Sequence, residues 1–124
     1  MPNVGAIVLA AAAAASAVTQ ATYVRAATKY DGAWSVAIYT RSGPCDAAYR
    51  FSGQITNGII YYSGAFGIDF TGGVRPGGSA WARVSSGPHY AVATGHMSVT
   101  RGGGVWHGQG PGGRCAGNWV ATRN

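Results

Sequence analysis

The chain has 124 residues, enough for one folded domain and too few for a second hydrophobic core. Hydrophobic residues make up 47% of it, which excludes a wholly disordered chain, while 21 glycines and the absence of glutamate disfavour a helical fold. Abundant glycine, threonine, valine, serine and aromatic residues are typical of short strands joined by tight turns, so we predict an all-β fold.

The net charge is +6, and eight of the nine basic residues are arginines, scattered singly from Arg25 to Arg123. A run of basic residues would indicate a tail that binds nucleic acid. Single arginines instead indicate a solvated surface with a general attraction for polyanions. We therefore predict no specific nucleic-acid partner.

The N-terminus has the pattern of a signal peptide. An apolar, alanine-rich stretch from Val4 to Ala15 precedes a small-x-small cleavage site at Ala15-Ser16-Ala17, although no basic residue comes before it. The alternatives are an attached alanine-rich helix or a membrane anchor, but a bilayer span needs roughly 20 strongly apolar residues. We predict a signal helix at 1–17, a lead-in segment at 18–31, one β-domain at 32–124, export to the periplasm or medium, and no membrane insertion after cleavage.

The two cysteines, Cys45 and Cys115, lie near the two ends of the predicted domain and have no CxxC spacing. This spacing argues against a metal site or a thioredoxin-like motif. In an oxidising compartment the pair can form a disulfide, which closes a long loop and adds about 4 kcal/mol of stability.

From Trp34 onward apolar and polar residues alternate with a period of two, which is typical of strands with one buried face. Asn57-Gly58 predicts a two-residue hairpin turn and places Ile55 opposite Ile60. The pattern assigns these side chains to the inner face: Trp34, Val36, Ile38, Tyr49, Phe51, Ile55, Ile60, Tyr62, Phe66, Ile68, Phe70, Ala80, Ala82, Val84, Ala91, Ala93, Gly95, Met97, Val99, Trp106, Cys115, Gly117, Trp119 and Ala121.

These segments amount to about eight strands in meander order, which can close into a small barrel or a barrel-like sandwich. Cys45 opens the second strand and Cys115 opens the eighth, both on the inner face. In a closed meander these two strands flank the first, so the disulfide would bridge one rim. We expect the large inner side chains and several tryptophans to fill the interior and leave little room for a ligand.

Several residues carry a resemblance to a known group of proteins. They are Asp31-Gly32, Trp34-Ser35-Val36, Gly43, Cys45-Asp46, Tyr49, Ile55, Asn57-Gly58-Ile59, Gly104, Trp106, Cys115, Gly117, Trp119, Ala121 and Arg123-Asn124. On these positions the chain resembles an uncharacterised family of small secreted, disulfide-containing all-β proteins of alphaproteobacteria. The resemblance covers roughly three quarters of the chain and implies the fold and export, with no established activity.

The sequence lacks the patterns of an active site. Its carboxylates are Asp31, Asp46 and Asp69, and no GxSxG, HExxH or Walker motif is present. We therefore predict no enzymatic activity and no cofactor. Outward-facing His96 and His107 could approach each other and hold a metal if their strands are neighbours, but isolated surface histidines explain them better, so we assign no metal site.

Trp81 is the one tryptophan that the alternation places outside, with Arg83 on the same face. An aromatic platform beside arginines suits a sugar ring or an anionic polymer. We predict a non-enzymatic binding module for an anionic glycan, a lipid headgroup or an acidic protein, with these ligand-binding residues: Trp81, Arg83, Tyr61, Ile59, Arg50 and Gln54.

Two alternatives stay open, a secreted inhibitor of an acidic enzyme and a purely structural envelope protein. A protein–protein patch would have the same exposed aromatic residues. The ligand and the oligomeric state are left open by the sequence.

Overall fold

The computed structural model describes residues 27–64 and 66–124, so the predicted signal peptide and most of the lead-in lie outside the described residues. Within this part the chain forms eight antiparallel strands and no helix, and hence no helix that could cross a membrane. The strands are β1 (Gly32–Ser42), β2 (Ala48–Thr56), β3 (Ile59–Tyr62), β4 (Asp69–Val74), β5 (Ser79–Ser86), β6 (His89–Met97), β7 (Arg101–Gly110) and β8 (Gly113–Arg123).

Each strand pairs with its neighbour in sequence, and β1 also pairs with β8, so the sheet closes into a barrel. This confirms the predicted all-β meander and selects the barrel over the sandwich. Closure leaves no free sheet edge at the chain ends, because the first and last strands satisfy each other's backbone groups.

The hairpin between β2 and β3 has the predicted register. Asn57 and Gly58 adopt φ values of +53° and +79°, as a type I′ turn requires. Ile55 pairs with Ile60 and Gly53 with Tyr62. A one-residue slip would turn every side chain of both strands to the opposite face, so this turn determines which residues enter the barrel.

A disulfide joins Cys45 to Cys115, with their Cα atoms 6.1 Å apart, and confirms the predicted bridge across one rim. The two cysteines meet because β2 and β8 both pair with β1. Gly43 makes the close approach possible: its φ is +95°, and a Cβ there would collide with the carbonyl oxygen of Arg114. We call this rim the disulfide end and the opposite rim the closed end.

The closed end is sealed by the lead-in. The Tyr30 side chain is 2% exposed, its hydroxyl donates to the carbonyl oxygen of Pro76 (3.4 Å), and its own carbonyl accepts from Trp34 Nε1 (2.8 Å). Tyr30 therefore belongs to the hydrophobic core of the barrel, although the sequence pattern placed it in a separate lead-in segment.

Two inner-face assignments are wrong. Phe66 is fully exposed in the turn before β4, which begins at Asp69, and Val99 is exposed in the turn after β6, which ends at Met97. Alternation continued through both positions, but no neighbouring strand pairs with them. A strand ends where its pairing with a neighbouring strand ends, and alternation along the sequence does not show that position.

Candidate functional site: the barrel interior

The barrel encloses a cavity of about 390 Å³, so the expectation of a filled interior is wrong. Inward side chains near the closed end are buried, Trp34 at 1% and Ile55 at 3% exposure, whereas Tyr49 near the disulfide end is 50% exposed. The cavity therefore opens at the disulfide end. The inward-facing residues that line it are Trp34, Val36, Ile38, Thr40, Cys45, Tyr49, Phe51, Ile55, Ile60, Tyr62, Ile68, Phe70, Ala80, Ala82, Val84, Ala91, Ala93, Met97, Trp106, Trp119 and Ala121.

The inner tryptophans lie along the wall, and Trp119 illustrates the arrangement. Its indole crosses β7 and β6 over Gly104 and Gly95, where a Cβ on either glycine would collide with the ring. Its Nε1–H donates to the carbonyl oxygen of Thr94 (3.1 Å) on β6. The hydrogen bond holds the ring flat, and the centre of the barrel stays open.

The Trp106 indole, on β7, lies flat in the same way and crosses β8 toward β1. A Cβ on Gly117 would meet its Nε1, and that N–H donates to the carbonyl oxygen of Tyr39 (3.0 Å) on β1. Two large side chains thus cover wall surface at positions where the adjacent strands have no side chain of their own.

Small residues on β5 to β7 account for the rest of the space. The small size of these residues is visible in the sequence. Alternation predicts only whether a side chain points inward, and it does not show how much of the interior that side chain fills. Besides Val84, Ser86, His89, Met97 and Trp106, the inner rows of these strands consist of Ala80, Ala82, Ala91, Ala93, Gly95, Gly102, Gly104, Gly108 and Gly110.

Aromatic rings cover the opposite wall, on β2 to β4. Tyr49, Phe51, Tyr62 and Phe70 form a chain of rings with successive centroid distances of 6.1, 5.3 and 5.7 Å. The hydroxyl groups of Tyr49 and Tyr62 lie 3.3 Å apart. This hydrogen bond, together with burial, raises the pKa of Tyr49 above its usual range.

Polar groups of the lining concentrate at the disulfide end. They are the two tyrosine hydroxyls, Thr40 and Asp46, and the Thr40 hydroxyl donates to the Asp46 carbonyl oxygen (2.5 Å). Deeper in the barrel the surface is apolar. Such a surface takes up an apolar molecule, with a polar group tolerated at the opening.

The six residues predicted to bind a ligand lie on the outer side of the barrel wall, and one of them, Trp81, also borders the interior cavity. Trp81 is 38% exposed and lies against Gly73, which pairs with Ile59, so these side chains are neighbours. Exposed Tyr61 pairs with Gln54 on β2.

The two arginines of that set make contacts of their own. The Arg83 guanidinium lies 5.6 Å from the centre of the Tyr90 ring on β6, and Arg50 donates to the Tyr39 hydroxyl (3.5 Å). Ligand binding by this outer face stays a prediction.

The register separates the two histidines considered as a metal pair. Their strands are neighbours, but Val92 pairs with His107, whereas His96 pairs with Gly103. His96 is thus four residues further along the ladder, about 13 Å at the rise of a strand. Elsewhere in the described chain no cluster of three metal-binding side chains occurs.

Fold and site together define an eight-stranded up-and-down β-barrel with an apolar interior cavity that opens at one end. No protein-family model, no curated protein and no solved structure matches the chain. The resemblance to small secreted proteins of alphaproteobacteria stays a prediction.

Proposed function

We propose that this protein is a non-enzymatic binding protein that holds an apolar small molecule inside the barrel. The observation that carries the proposal is the cavity of about 390 Å³ with its apolar lining. Ligand sites in proteins have volumes of about 300–1,000 Å³. Water in such a cavity finds few hydrogen-bonding partners, so an apolar ligand that displaces it gains free energy.

The composition of the lining supports binding rather than catalysis. Asp46, at the rim, is the one carboxylate among the described lining residues, and no histidine, lysine or arginine accompanies it there. General acid–base catalysis needs a proton donor and a proton acceptor placed against one reacting group. The interior offers shape and apolar surface instead.

The proposal includes export to the periplasm or medium. A disulfide is consistent with an oxidising compartment, and the alanine-rich stretch before Ala17 has the pattern of a cleaved signal peptide. The intact mass of the protein recovered from outside the cytoplasm tests this. Cleavage after residue 17 together with a mass gain of two hydrogens on reduction supports export, and an uncut chain with free thiols contradicts it.

The binding proposal is tested with N-phenylnaphthylamine, a neutral dye whose fluorescence rises in apolar surroundings. Ala93→Phe adds a ring to the cavity wall, whereas Thr94→Phe adds the same ring to the outside of the same strand. We expect the wild type and Thr94→Phe to bind the dye, and Ala93→Phe to bind it at least about tenfold more weakly. A folded wild type that does not enhance the fluorescence overturns the proposal, as does equal binding by the two variants.

A second candidate is the predicted outer face, favoured by the exposed Trp81 beside Ile59. It would take an anionic glycan or a similar polyanion. Retention on a sulfated resin that is weakened by Trp81→Ala with Arg83→Ala supports this candidate, and unchanged retention removes it.

A further inference from the structure

One junction of the barrel wall has very little backbone pairing. Within the described residues β3 and β4 share a single register pair, Ile59 with Gly73, whereas the neighbouring β2–β3 ladder has four pairs. A hydrogen bond from Val74 N–H to the carbonyl oxygen of Gly58 (2.8 Å) lies at the same end of the junction. Toward the disulfide end the two strands stay adjacent without further paired residues, and we call this stretch the β3–β4 seam.

A groove follows the seam on the wall of the barrel. Ile60, Tyr62, Ile68 and Phe70 line this groove and also line the interior cavity. The same four apolar side chains thus have one surface toward the lumen and another toward the groove.

The seam is bridged by side chains where backbone pairing is missing. The rings of Tyr62 and Phe70 stack across it, with centroids 5.7 Å apart and planes at 25°. A β-ladder opens only when several backbone hydrogen bonds break together, but a ring pair separates by rotation about side-chain bonds. The wall is therefore weakest where these two rings meet.

The groove differs from the lumen in polarity. Asp69, Thr71 and Tyr61 belong to its lining and are exposed, and strand edges without ladder pairing present backbone N–H and C=O groups. A molecule lying across the seam would have an apolar part inside the barrel and a polar part in the groove. A single flexible chain needs less separation of the Tyr62 and Phe70 rings than a fused ring system does, so we infer a chain as the apolar part.

We propose that the β3–β4 seam is a lateral opening of the ligand cavity, gated by the Tyr62–Phe70 stack, and that it admits an amphipathic molecule with a single acyl chain. The chain occupies the lumen and the polar end lies in the groove. This inference rests on the proposed function, because it names the class of ligand and its route into the same cavity.

The test closes the seam chemically. Tyr61→Cys with Thr71→Cys places two outward thiols opposite each other if the Ile59–Gly73 register is continued by two residues, and a short bis-maleimide joins them without touching the native disulfide. The matched control is Thr94→Cys with Val105→Cys, an exposed pair on the intact β6–β7 ladder. The probes are cis-parinaric acid, a fluorescent fatty acid, and N-phenylnaphthylamine, which is compact and can use the open end.

We expect cross-linking of the seam to slow release of cis-parinaric acid about tenfold, while the cross-linked control keeps the rate of its uncross-linked form. Release of N-phenylnaphthylamine should change little. Phe70→Ala removes one ring of the gate, and we expect it to release cis-parinaric acid about three- to tenfold faster.

Equal release rates before and after cross-linking of the seam overturn the lateral opening while leaving the interior site intact. If the wild type binds N-phenylnaphthylamine but not cis-parinaric acid, the acyl-chain class is wrong. If it binds neither probe, the proposed function itself fails.

Discussion

The guanidinium carbon of Arg123 lies 4.7 Å from the centre of the Trp34 ring. The same group donates hydrogen bonds to three carbonyl oxygens, those of Val99 (2.6 Å), Asp31 (2.6 Å) and Lys29 (2.7 Å). One side chain near the end of β8 thus joins the β6–β7 turn, the lead-in and the buried core at the closed end. This explains how a short lead-in can seal the barrel.

Replacing Arg123 by alanine should lower the free energy of unfolding by about 2 kcal/mol, since a cation–π contact and charge-assisted hydrogen bonds are lost together. Arg123→Lys should lie between the wild type and the alanine variant, because an ammonium group cannot reproduce the planar fork. Arg101→Ala, which removes an exposed arginine, serves as the control and should change stability by less than about 0.5 kcal/mol. Urea unfolding followed by circular dichroism measures all three, and equal losses for Arg123→Ala and Arg101→Ala would refute the role of this contact.

Asp31 makes stability depend on pH in the acid range. The Thr28 hydroxyl (2.6 Å to Oδ1) and the backbone N–H groups of Asn57 and Gly58 lower the pKa of Asp31 from 3.8 to about 2, against the opposing effect of burial. Because the pKa is lower in the folded state, the stabilisation is fully present above pH 4 and is lost as the pH falls toward 2. Asp31→Asn should therefore be less stable than the wild type at pH 6, with a difference that shrinks on approaching pH 2.

Thr28→Val provides the matched variant for this prediction, since it removes the hydroxyl with the largest effect on the pKa of Asp31. Its stability should fall less than that of the wild type between pH 5 and pH 2, because the pKa of Asp31 in the folded variant lies closer to its unfolded value. Thermal unfolding at a series of pH values measures both variants. A constant difference between Asp31→Asn and the wild type from pH 6 to pH 2 would show that the carboxylate has no such role.

The disulfide should supply a large share of the stability. Because it joins residues 70 positions apart, its reduction should lower the free energy of unfolding by about 4 kcal/mol in the chain-entropy treatment. Cys45→Ser with Cys115→Ser should match the reduced protein. Urea unfolding with and without reductant is the measurement, and an unchanged midpoint would mean that the barrel closes as stably without the bridge.

The glycines beneath Trp119 should tolerate no side chain. In Gly104→Ala the new methyl group would collide with the carbonyl oxygen of Thr94 and with the indole, so we expect a loss of about 3 kcal/mol and a changed tryptophan emission. Gly77→Ala is the control, because a Cβ there meets no atom within 4 Å. If both variants unfold at the same urea concentration, packing of the Trp119 indole does not require glycine at position 104.

Much of the fold could be predicted from local pattern. The hairpin at Asn57 and Gly58, its register and the meeting of Cys45 with Cys115 all follow from alternation and turn chemistry. Errors occurred at Phe66 and Val99, where alternation runs past the last paired residue. The sequence did not predict the cavity, because the number of large inward-facing residues does not show whether their rings lie flat on the wall or fill the centre of the barrel.

The side of the sheet that each strand residue occupies follows from the order of residues along the strand, since alternation is a property of the extended chain. The enclosed volume depends instead on how side chains from different strands pack. Trp119 lies flat because glycines on two other strands leave room for it, and Tyr62 stacks on Phe70 because β3 and β4 lie side by side. Both results depend on contacts between different strands, and a pattern read along one strand carries no information about them.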